Sequence, residues 1–589
     1  MSIKLASYLS EEYCHQVGIL YPEIETIYKE NPYFLLDIED ELPANKIDKF
    51  PDYIEIDKHT ILKTFELRKI EIKELLLYVL KQNEQLGNSW MCMQDLIQQC
   101  NKILAKTGHP LLKGSLKQYI NYYNDLFALS RDKKYISLYK TKQKEFYIYN
   151  GIKKLKNMTN EYNSFEAKDE TNRLSNEQLN SANNVVRLGG NITLLTGGPG
   201  TGKTTITKSI VKGLNESFPN KKIVLLAPTG KAANRIQEVF YGQDVEIKTI
   251  HLFVGWNFPK PKMKTVLRDI KDTDFIIIDE ASMISVDVLS LLFKYIDIYK
   301  TKILFIGDEN QLPAIGTGDT IRDLRQMNVY EEHLNINYRS SMAINTNATS
   351  LLNGDNTIKT DDTFEFIDIE KDIDNKENVM EIISKEVINS DNDTIVLSPY
   401  RKKEIKGNIV ELNNTIHKNI FGDIRKDFFN GWCIGDKVIL VKTNYKRKYF
   451  NGDTGIITGY KRNAVTVNKE KQDAYIVTLS NGNNVYVVDE NDIELAYSIT
   501  IHKAQGSEYD EVNIYIPQYS PFISKELLYT AITRAKNKVR LWTTKEIYDL
   551  VCKTESVRRN TLIGLWNKDN LSQVVFRVTP FDTFGKIGE

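Results

Sequence analysis

The sequence is poor in cysteine and proline, carries no excess of either charge and lacks any long apolar run. Its five cysteines stand far apart, without the paired short spacings of a zinc site or a disulfide framework, so we expect reduced thiols and a cytoplasmic protein. No apolar run approaches the ~18 residues that a membrane span needs, and we expect no membrane partner. Lysine plus arginine number 78, as do aspartate plus glutamate, which excludes a globally basic coat protein and an acidic tail.

The length and composition of the chain are those of a globular protein with several domains. The chain has 589 residues, of which 41% are hydrophobic and 26% charged, and this length corresponds to roughly four domains of the usual size. Residues 1–150 mix helical periodicity with an alternation of apolar residues at Ile136, Leu138, Phe146 and Ile148. The alternation predicts a β-hairpin with lysines near its tip.

Short apolar runs, each followed by a polar loop and a helical stretch, fill most of the remaining chain. Continuous apolar runs are typical of parallel strands buried on both faces, and their alternation with helices predicts a doubly wound α/β fold. An acidic stretch at 361–393 is interpreted as a solvated surface, and the alternation of Val and Ile within 435–492 predicts a small β-barrel insert. The first set of predicted parallel strands is at 192–196, 223–227, 275–278 and 303–306, and the second set is at 394–398, 512–516 and 539–543.

A glycine-rich loop follows the first of these strands. Residues 197–204 read Gly-Gly-Pro-Gly-Thr-Gly-Lys-Thr, which fits the pattern G-x-x-x-x-G-K-[ST] between a strand and a helix. Such glycines let backbone N–H groups surround phosphate oxygens, while Lys203 would contact the β- and γ-phosphates and Thr204 would bind Mg²⁺. The loop therefore predicts a site for ATP and Mg²⁺. Its phosphate-binding residues are expected to be Gly198, Pro199, Gly200, Thr201, Gly202, Lys203, Thr204 and Thr205.

Two adjacent carboxylates end the predicted strand at 275–278. Asp279 and Glu280 would project from the carboxyl edge of the sheet, where open α/β sheets bind ligands. Asp279 can hold Mg²⁺ and Glu280 can deprotonate the attacking water, because the metal masks one of the two negative charges. Two amides complete the candidate site. Gln311, after the strand at 303–306, could sense the γ-phosphate, and Gln178, before the glycine-rich loop, could pair with adenine.

These segments, together with a series of further blocks in the same order, resemble the RecD-like branch of superfamily 1B helicases, which move 5′ to 3′ on single-stranded DNA. The resemblance spans about 174–536 and implies an α/β fold with two RecA-like P-loop motor domains. The further blocks are Ala-Pro-Thr-Gly-Lys-Ala-Ala at 227–233, Thr-Ile-His at 249–251, Asn-Tyr-Arg at 337–339, Ser-Pro-Tyr-Arg at 398–401, Ser-Ile-Thr-Ile-His-Lys-Ala-Gln-Gly-Ser-Glu at 498–508, and Tyr-Thr-Ala-Ile-Thr-Arg-Ala-Lys at 529–536.

The resemblance assigns further roles around the nucleotide. It implies that Arg339 and Arg534 reach the γ-phosphate from the second motor domain as paired arginine fingers. A guanidinium stays charged and can neutralise the charge that spreads over the transferring phosphoryl group. Gln311 and Glu508 are similarly expected to couple the nucleotide to the DNA groove. The predicted catalytic residues are Lys203, Glu280, Gln311, Arg339 and Arg534.

For DNA, the resemblance implies contacts to phosphate and sugar, which do not read the base sequence. Either histidine among the expected contacts could instead be a hydrogen-bonded structural residue. The excess of lysine and arginine within 401–471 is typical of a phosphate-tracking surface, although a solvated charged face has the same composition. The expected contacts are Thr229, Thr249 and His251 in the first motor domain and Pro399, Thr500, His502 and Lys503 in the second.

The resemblance also implies a domain plan. Residues 1–156 are expected to form a mainly α, winged-helix-like N-terminal domain that is shortened relative to the long RecD-like proteins. This domain or the C-terminal tail would serve to bind a protein partner. The other expected parts are a first motor domain at 173–335 with a pin-like, strand-separating insert at about 255–273, a second motor domain at 336–550 with an SH3-like insert at about 435–492, and a tail at 551–589.

The sequence therefore predicts an ATP- and Mg²⁺-dependent helicase that moves 5′ to 3′ on single-stranded DNA and unwinds duplex with a 5′ tail, in DNA repair or recombination. One alternative is the motor subunit of a multi-protein nuclease–helicase. Another is an RNA- or DNA-dependent ATPase that remodels nucleoprotein. A protein that clamps DNA without stepping is a rival from a different class, and the presence of Lys203, Asp279 and Glu280 together with both arginines stands against it.

Overall fold

A computed structural model describes the chain in segments, which fall into two compact units. One unit is Met1–Phe146 with Gly316–Gly318 and Arg559–Glu589, and the other is Tyr147–Ile315 with Asp319–Arg558. Within the described segments, no helix combines the length and apolar character needed to cross a membrane. The described residues are 72–106, 120, 125–130, 133–169, 174–256, 260–338, 342–373, 378–401, 405, 407–422, 432–444, 446–467, 470–554 and 559–568.

The first unit combines helices with a small antiparallel sheet. The strands form a three-stranded sheet in the order β1-β3-β2. Part of the predicted C-terminal tail belongs to this unit, because Ser89 N donates to Asn560 O (2.7 Å) and Trp90 Nε1 donates to Thr561 O (3.0 Å). A helix at Leu562–Lys568 follows. In chain order the unit contains α1 (Ile72–Gln85), β1 (Met91–Cys92), α2 (Met93–Lys106), β2 (Phe127–Leu129) and β3 (Tyr135–Leu138).

The β-hairpin predicted from the alternation at 136–148 is wrong. Strand β3 pairs with β2, and the chain then continues as a helix, α3 (Tyr139–Lys156). The buried residues Ile148, Ile152 and Leu155 are spaced by four and three positions, so they lie on one helical face. The lysines expected at a hairpin tip come with no glycine, asparagine or proline to make the turn, and lysine is a good helix former.

The second unit begins with a doubly wound domain built on a six-stranded parallel sheet. The strand order is β6-β5-β7-β8-β4-β9, and the apolar strands β4, β5, β7 and β8 are buried along their whole length. This confirms the prediction of a parallel-sheet α/β fold. Its elements are α4 (Asn176–Arg187), β4 (Ile192–Gly197), α5 (Lys203–Ser217), β5 (Ile223–Ala227), α6 (Gly230–Val239), β6 (Glu246–Thr249), α7 (Ile250–Phe253), α8 (Lys260–Lys271), β7 (Phe275–Ile278), α9 (Val286–Tyr295), β8 (Lys302–Gly307), α10 (Thr320–Gln326) and β9 (Tyr330–Leu334).

A second parallel sheet follows, and a separate antiparallel sheet is inserted into its domain. The parallel sheet has the order β10-β19-β18-β11-β17, and the antiparallel sheet has the order β15-β14-β13-β12-β16. The elements are α11 (Met342–Leu352), β10 (Phe364–Asp368), α12 (Val379–Asn389), β11 (Thr394–Ser398), α13 (Ile409–Phe421), β12 (Lys437–Leu440), β13 (Thr454–Val467), β14 (Glu470–Leu479), β15 (Asn484–Val487), β16 (Ile493–Leu495), β17 (Ser498–Thr500), β18 (Tyr509–Tyr515), α14 (Lys525–Ile532), β19 (Ala535–Thr543) and α15 (Lys545–Cys552).

The acidic stretch at 361–393 is more than the solvated surface expected from its composition. It contains the edge strand β10, which pairs with β19, and the helix α12. Phe364 in β10 is fully buried in the core of the second sheet. The prediction was therefore wrong in part, because a few apolar residues at strand and helix spacing fix the fold even where acidic residues dominate the count.

The inserted sheet is tied to the second parallel-sheet domain by Asp436. Its carboxylate accepts hydrogen bonds from Cys433 N (2.7 Å) and Tyr497 Oη (3.1 Å) and lies 2.7 Å from His417 Nδ1 on α13. Within the described part of the chain, His417, Cys433 and Asp436 form a group with metal-ligand spacing. Because the carboxylate is already occupied by these hydrogen bonds, we interpret the group as structural.

Lys302, at the start of β8, provides a stability test. Its side chain is fully buried, Nζ donates to Gly190 O (2.8 Å), and burial lowers the pKa of its amine to about 7. Between pH 7 and the ordinary lysine pKa, the unfolded chain therefore binds one more proton at Lys302 than the folded chain does. The loss of folding stability caused by the buried amine is complete below pH 7 and diminishes as pH rises. We expect Lys302→Met to stabilise the protein at pH 6.5 by about 2–4 kcal/mol.

Calorimetric melting of wild type and variant at pH 6.5 and pH 9 measures this effect. The gain in Tm should be smaller at pH 9, and Lys300→Met, a change at an exposed neighbour, should give neither the gain nor the pH dependence. Equal gains at both pH values would contradict the assigned cause.

Candidate nucleotide and nucleic-acid sites

The glycine-rich loop lies between β4 and α5, with the helix N-terminus at its end. Gly200 and Gly202 adopt φ of 77° and 88°, a conformation in which other residues are strained. A Cβ on Gly202 would also stand 2.2 Å from Gln178 Nε2 and displace that amide, so the positive φ favours glycine at position 202 and the contact adds to this preference. Lys203 Nζ donates to Gly197 O (2.7 Å) and Gly198 O (2.8 Å), which places the ammonium group across the loop that the sequence predicts to bind phosphates.

Gln178 braces this loop from α4. Its backbone and side chain form a capping box with Ser175, in which Gln178 Oε1 accepts from Ser175 N at 3.0 Å. Its Nε2 donates to Thr201 O at 2.9 Å. Both ends of the amide are thus engaged within the chain, and pairing of Gln178 with adenine stays a prediction.

Asp279 and Glu280 follow β7 at the carboxyl edge of the first sheet. Glu280 has a φ of 53°, a strained left-handed conformation for a residue other than glycine, and its N–H donates to Asp279 Oδ1 (2.9 Å). Burial, and then the charge of Glu280, raise the pKa of the Asp279 carboxyl to about 6. A partly buried pair of carboxylates with this excess of negative charge is suited to a divalent cation. Thr204, the other predicted Mg²⁺ ligand, is the second residue of α5, and Thr205 after it is exposed.

The loop after β8 carries Gln311. Its Nε2 donates to Asp308 Oδ2 (3.3 Å), but its Oε1 is buried and has no hydrogen-bond partner. An unpaired buried acceptor is rare in folded proteins and often marks a position where a ligand or water donates a hydrogen bond. This atom can accept a hydrogen bond from water, and the sensing of the γ-phosphate by Gln311 stays a prediction.

The second parallel-sheet domain binds this same loop. Leu312 N donates to Thr530 Oγ1 (3.0 Å), and Gln505 Nε2 donates to Leu312 O (2.9 Å). The phenol of Tyr529 donates to Asp308 Oδ2 at 3.0 Å. Sequence reasoning missed Asp308 and Tyr529 as site residues. Both lie in segments that it singled out, but a second aspartate and a tyrosine fit no nucleotide-specific pattern.

Arg534 lies in the cleft between the two parallel sheets and is only 3% exposed. Its Nε donates to Thr530 O (3.0 Å) and its Nη1 donates to Ser507 O (3.1 Å). Burial lowers the pKa of the guanidinium, while the opposite charges of Glu280 and Glu508 act to raise it. The charge of Glu280 in the first domain thus acts on Arg534 of the second, and the role of Arg534 as an arginine finger stays a prediction. Its predicted partner Arg339 lies outside the described residues.

The residues predicted to contact DNA lie at corresponding places in the two sheets. In the first domain they lie at or after the ends of the adjacent parallel strands β5 and β6, and in the second at or after the ends of β11 and β17, which also pair in parallel. Thr229 and Thr249 cap α6 and α7, accepting from Ala232 N (3.2 Å) and Leu252 N (3.1 Å). Thr500 Oγ1 likewise accepts from Lys503 N (3.3 Å). Pro399, directly after β11, is buried, whereas His502 is exposed.

Neighbouring groups act on two of these residues, His251 and Lys503. Burial lowers the pKa of His251, which favours a neutral imidazole. Lys503 Nζ lies 2.9 Å from Glu494 Oε2, and Arg401 Nη2 lies 2.8 Å from Glu494 Oε1. One carboxylate therefore holds two cations beside the predicted DNA contacts, and sequence reasoning did not identify Glu494.

The predicted pin-like insert is helical where the structure describes it. Helix α8 occupies Lys260–Lys271, and Ile270 on this helix is buried. Before the helix, Trp256 is 51% exposed and its ring centre lies 6.3 Å from that of His251. The role of the insert in strand separation stays a prediction.

This fold and site define a class of protein, the P-loop ATPases with two parallel-sheet domains that share a charged cleft. A model of the AAA domain matches residues 182–317, which include β4 to β8. A model of the UvrD-like helicase C-terminal domain matches residues 495–542, which include β17, β18 and α14.

The curated proteins to which this chain is similar include RecD-type proteins. The RecBCD enzyme subunit RecD of Buchnera aphidicola is 28% identical over 511 residues, which cover 70% of this chain and 81% of that protein. The ATP-dependent RecD2 DNA helicase of Deinococcus radiodurans is 28% identical over 401 residues, which cover 66% of this chain and 52% of that protein. The crystal structure of Pif1 helicase from Candida albicans gives a TM-score of 0.44 at 18% identity, covering 65% of this chain and 97% of that chain. The resemblance to the RecD-like superfamily 1B helicases is confirmed.

Proposed function

We propose that the protein is an ATP-dependent DNA helicase that moves 5′ to 3′ on single-stranded DNA and unwinds duplex in repair or recombination. The observation that carries this proposal is the cleft between the two parallel sheets. There the loop after β8 of the first sheet binds Thr530 and Tyr529 of the second domain, and the charge of Glu280 acts on Arg534. The predicted DNA contacts lie at or after the ends of adjacent strands in both sheets. The RecD and RecD2 relatives support the same function.

The residues in the cleft would have different roles in ATP hydrolysis. The loop between β4 and α5 would bind the phosphates through its backbone N–H groups, and Asp279 with Thr204 would hold Mg²⁺, which supplies charge neutralisation when bound. Glu280 would accept the proton of the attacking water, and Gln311 Oε1 would orient that water. Arg534 would contact the charge that develops on the γ-phosphate. A guanidinium supplied by the second motor domain makes hydrolysis depend on closure of the cleft.

Movement along DNA follows from this dependence. The sheets lie in one chain but in separate domains, and each carries predicted contacts to phosphate and sugar. If nucleotide closes the cleft and hydrolysis opens it, the two sets of contacts approach and separate along the strand. Because such contacts ignore base identity, the motor can work on any sequence.

The two smaller parts of the chain fit accessory roles. The inserted sheet has the strand order of an SH3-like barrel, with a short 3₁₀ turn (Glu490–Asp492) between β15 and β16, and we assign it that fold. The N-terminal unit has a helix, a strand, a helix and a β2–β3 hairpin, with sheet order β1-β3-β2, which supports a winged helix. We propose that this unit recruits a protein partner.

The direct test of the function is ATP hydrolysis in the presence and absence of single-stranded DNA. We expect stimulation by oligo(dT) and a smaller effect of an RNA of equal length. Equal rates with and without either polymer would contradict the helicase assignment, and stimulation by RNA alone would favour the nucleoprotein-remodelling alternative.

Glu494 offers a test of the proposed DNA path. Its carboxylate pairs with Lys503 and Arg401, so Glu494→Gln should release both cations for DNA phosphates. We expect tighter binding of oligo(dT), with a salt dependence of log affinity that is steeper by about 0.7 for each released cation. Fluorescence anisotropy over a salt series measures both. Glu470→Gln, the same charge change at an exposed position on β14, is the control and should leave the slope unchanged.

A second candidate is the motor subunit of a multi-protein nuclease–helicase. The observation in its favour is the match to the RecD subunit from Buchnera aphidicola, of which this chain covers 81%. Light scattering of the purified chain, alone and mixed with partner subunits from the same source, distinguishes the two. A stable higher-mass complex that gains unwinding activity supports the subunit, whereas full unwinding by the monomer supports the independent helicase.

A further inference from the structure

Arg235 on α6 links the two motor domains at a point that no sequence pattern indicates. Its Nη2 lies 2.5 Å from Glu508 Oε1, and its Nη1 donates to Gly506 O at 3.2 Å. Glu508 and Gly506 belong to the segment between β17 and β18 of the second sheet, whereas α6 packs on the first. A single guanidinium therefore binds both a carboxylate and a backbone carbonyl across the cleft, a two-point contact that lysine cannot reproduce.

The charge of the same guanidinium also interacts with those of the predicted catalytic carboxylates. Although burial lowers the pKa of Arg235, the charges of Glu508, Glu280 and Asp279 raise it overall. The hydrogen-bonding partners of Arg235 itself are Glu508 and Gly506 of the second domain.

The N-terminus of α6 lies at the proposed DNA path. Thr229 caps the helix and Arg235 stands six residues later, which is about 9 Å along a rigid helix. The helix also touches the second domain between these points, since a Cβ on Gly506 would stand 3.8 Å from the Cβ of Ala232. Gly506 itself comes a few residues after Thr500 and Lys503, the predicted DNA contacts of the second domain. A shift of α6 on binding DNA would therefore move the Arg235–Glu508 contact.

We propose that Arg235 is a positioning residue that couples DNA binding to ATP hydrolysis by holding Glu508 of the second motor domain on helix α6 of the first. The proposal rests on the helicase function above and adds to it the route by which the two sites communicate. Coupling of this kind is reciprocal, so nucleotide must change DNA affinity by the same factor as DNA changes nucleotide affinity.

The test compares Arg235→Gln, Arg235→Lys, Glu508→Gln and the double variant Arg235→Gln/Glu508→Gln. For each, the affinity for oligo(dT) is measured with and without a non-hydrolysable ATP analogue, and kcat and KM for ATP are measured at saturating oligo(dT). We expect the analogue to change wild-type DNA affinity by about fivefold or more. In Arg235→Gln this ratio should approach one, and kcat should fall about tenfold while KM stays near the wild-type value. Arg235→Lys should keep part of the coupling.

The double variant separates a shared role from independent ones. If Arg235 acts through Glu508, the double variant should lose no more coupling than the more affected single variant, and multiplied losses would overturn the proposal. An unchanged ratio in Arg235→Gln, or a fall in Tm with normal coupling, would also overturn it. If Arg235→Gln does not fold, Glu508→Gln is the deciding variant. Loss of the coupling ratio in Glu508→Gln would then support the proposal, and an unchanged ratio would overturn it.

Gln237→Ala, on the exposed face of the same helix, is the matched control and should behave as wild type. Failure of the helicase assignment would be recognised separately. In that case wild type and the control would show no DNA-stimulated hydrolysis at all, whereas failure of the coupling proposal leaves their stimulation intact.

Discussion

ATP hydrolysis by the Arg534→Gln variant is expected to fall by about 10³-fold or more, because arginine fingers contribute about this much to phosphoryl transfer. Arg534 is buried, the charge of Glu280 acts on its guanidinium, and its position is fixed by hydrogen bonds to Thr530 O and Ser507 O. Glutamine is shorter and ends near the position of arginine Nε, so it can keep the bond to Thr530 O, but it brings no positive charge. We therefore expect the loss in kcat and little change in nucleotide affinity.

Steady-state kinetics with saturating single-stranded DNA and titration with a fluorescent ADP measure these two quantities. Arg540→Gln is the matched control, because Arg540 pairs with Glu511 on the far part of β19, away from the cleft. This control should lower Tm without lowering kcat. A kcat for Arg534→Gln within tenfold of wild type, in a variant that folds, would contradict the assigned role.

The Lys203→Ala variant is expected to lose hydrolysis by about 10²–10³-fold, the cost of removing one strong donor from a developing negative charge. Lys203 is the first residue of α5, and its ammonium group lies across the phosphate loop against Gly197 O and Gly198 O. Its removal leaves the backbone N–H groups as the main phosphate ligands. We therefore expect weaker ATP binding as well as slower chemistry.

The comparison for this variant is Lys212→Ala on the same helix, where the lysine pairs with Glu216 at the protein surface. Kinetics and unwinding assays should show wild-type behaviour for Lys212→Ala and no unwinding for Lys203→Ala. Unwinding by Lys203→Ala at more than a tenth of the wild-type rate would mean that the loop is not the motor's nucleotide site.

The features predicted correctly from sequence are those in which residue type and local spacing determine the structure. Position 202 favours glycine because of its φ and its contact with Gln178, and the apolar runs before Asp279 and after Thr301 must be buried strands. These constraints act within a few residues, so pattern alone identifies the loop, the carboxylates and the parallel sheets.

The features that sequence did not predict depend on contacts between distant segments. Arg235 meets Glu508, and Tyr529 meets Asp308, only after the second sheet has assembled beside the first. Strand β10 was missed because its few apolar residues lie in an acidic stretch, and their burial depends on pairing with β19 near the end of the chain. The helix α3 was mistaken for a hairpin because a short run of apolar residues fits both periods.

Unwinding of partial duplexes with different tails tests the central claim most directly. Three substrates of equal duplex length carry a 5′ DNA tail, a 3′ DNA tail or a 5′ RNA tail, and strand release is followed with ATP and Mg²⁺. The proposed function predicts ATP-dependent release from the 5′-tailed DNA and none from the 3′-tailed DNA. Release from the 3′-tailed substrate alone would contradict the assigned direction of movement, and release from no substrate by wild-type protein that hydrolyses ATP would contradict the helicase itself.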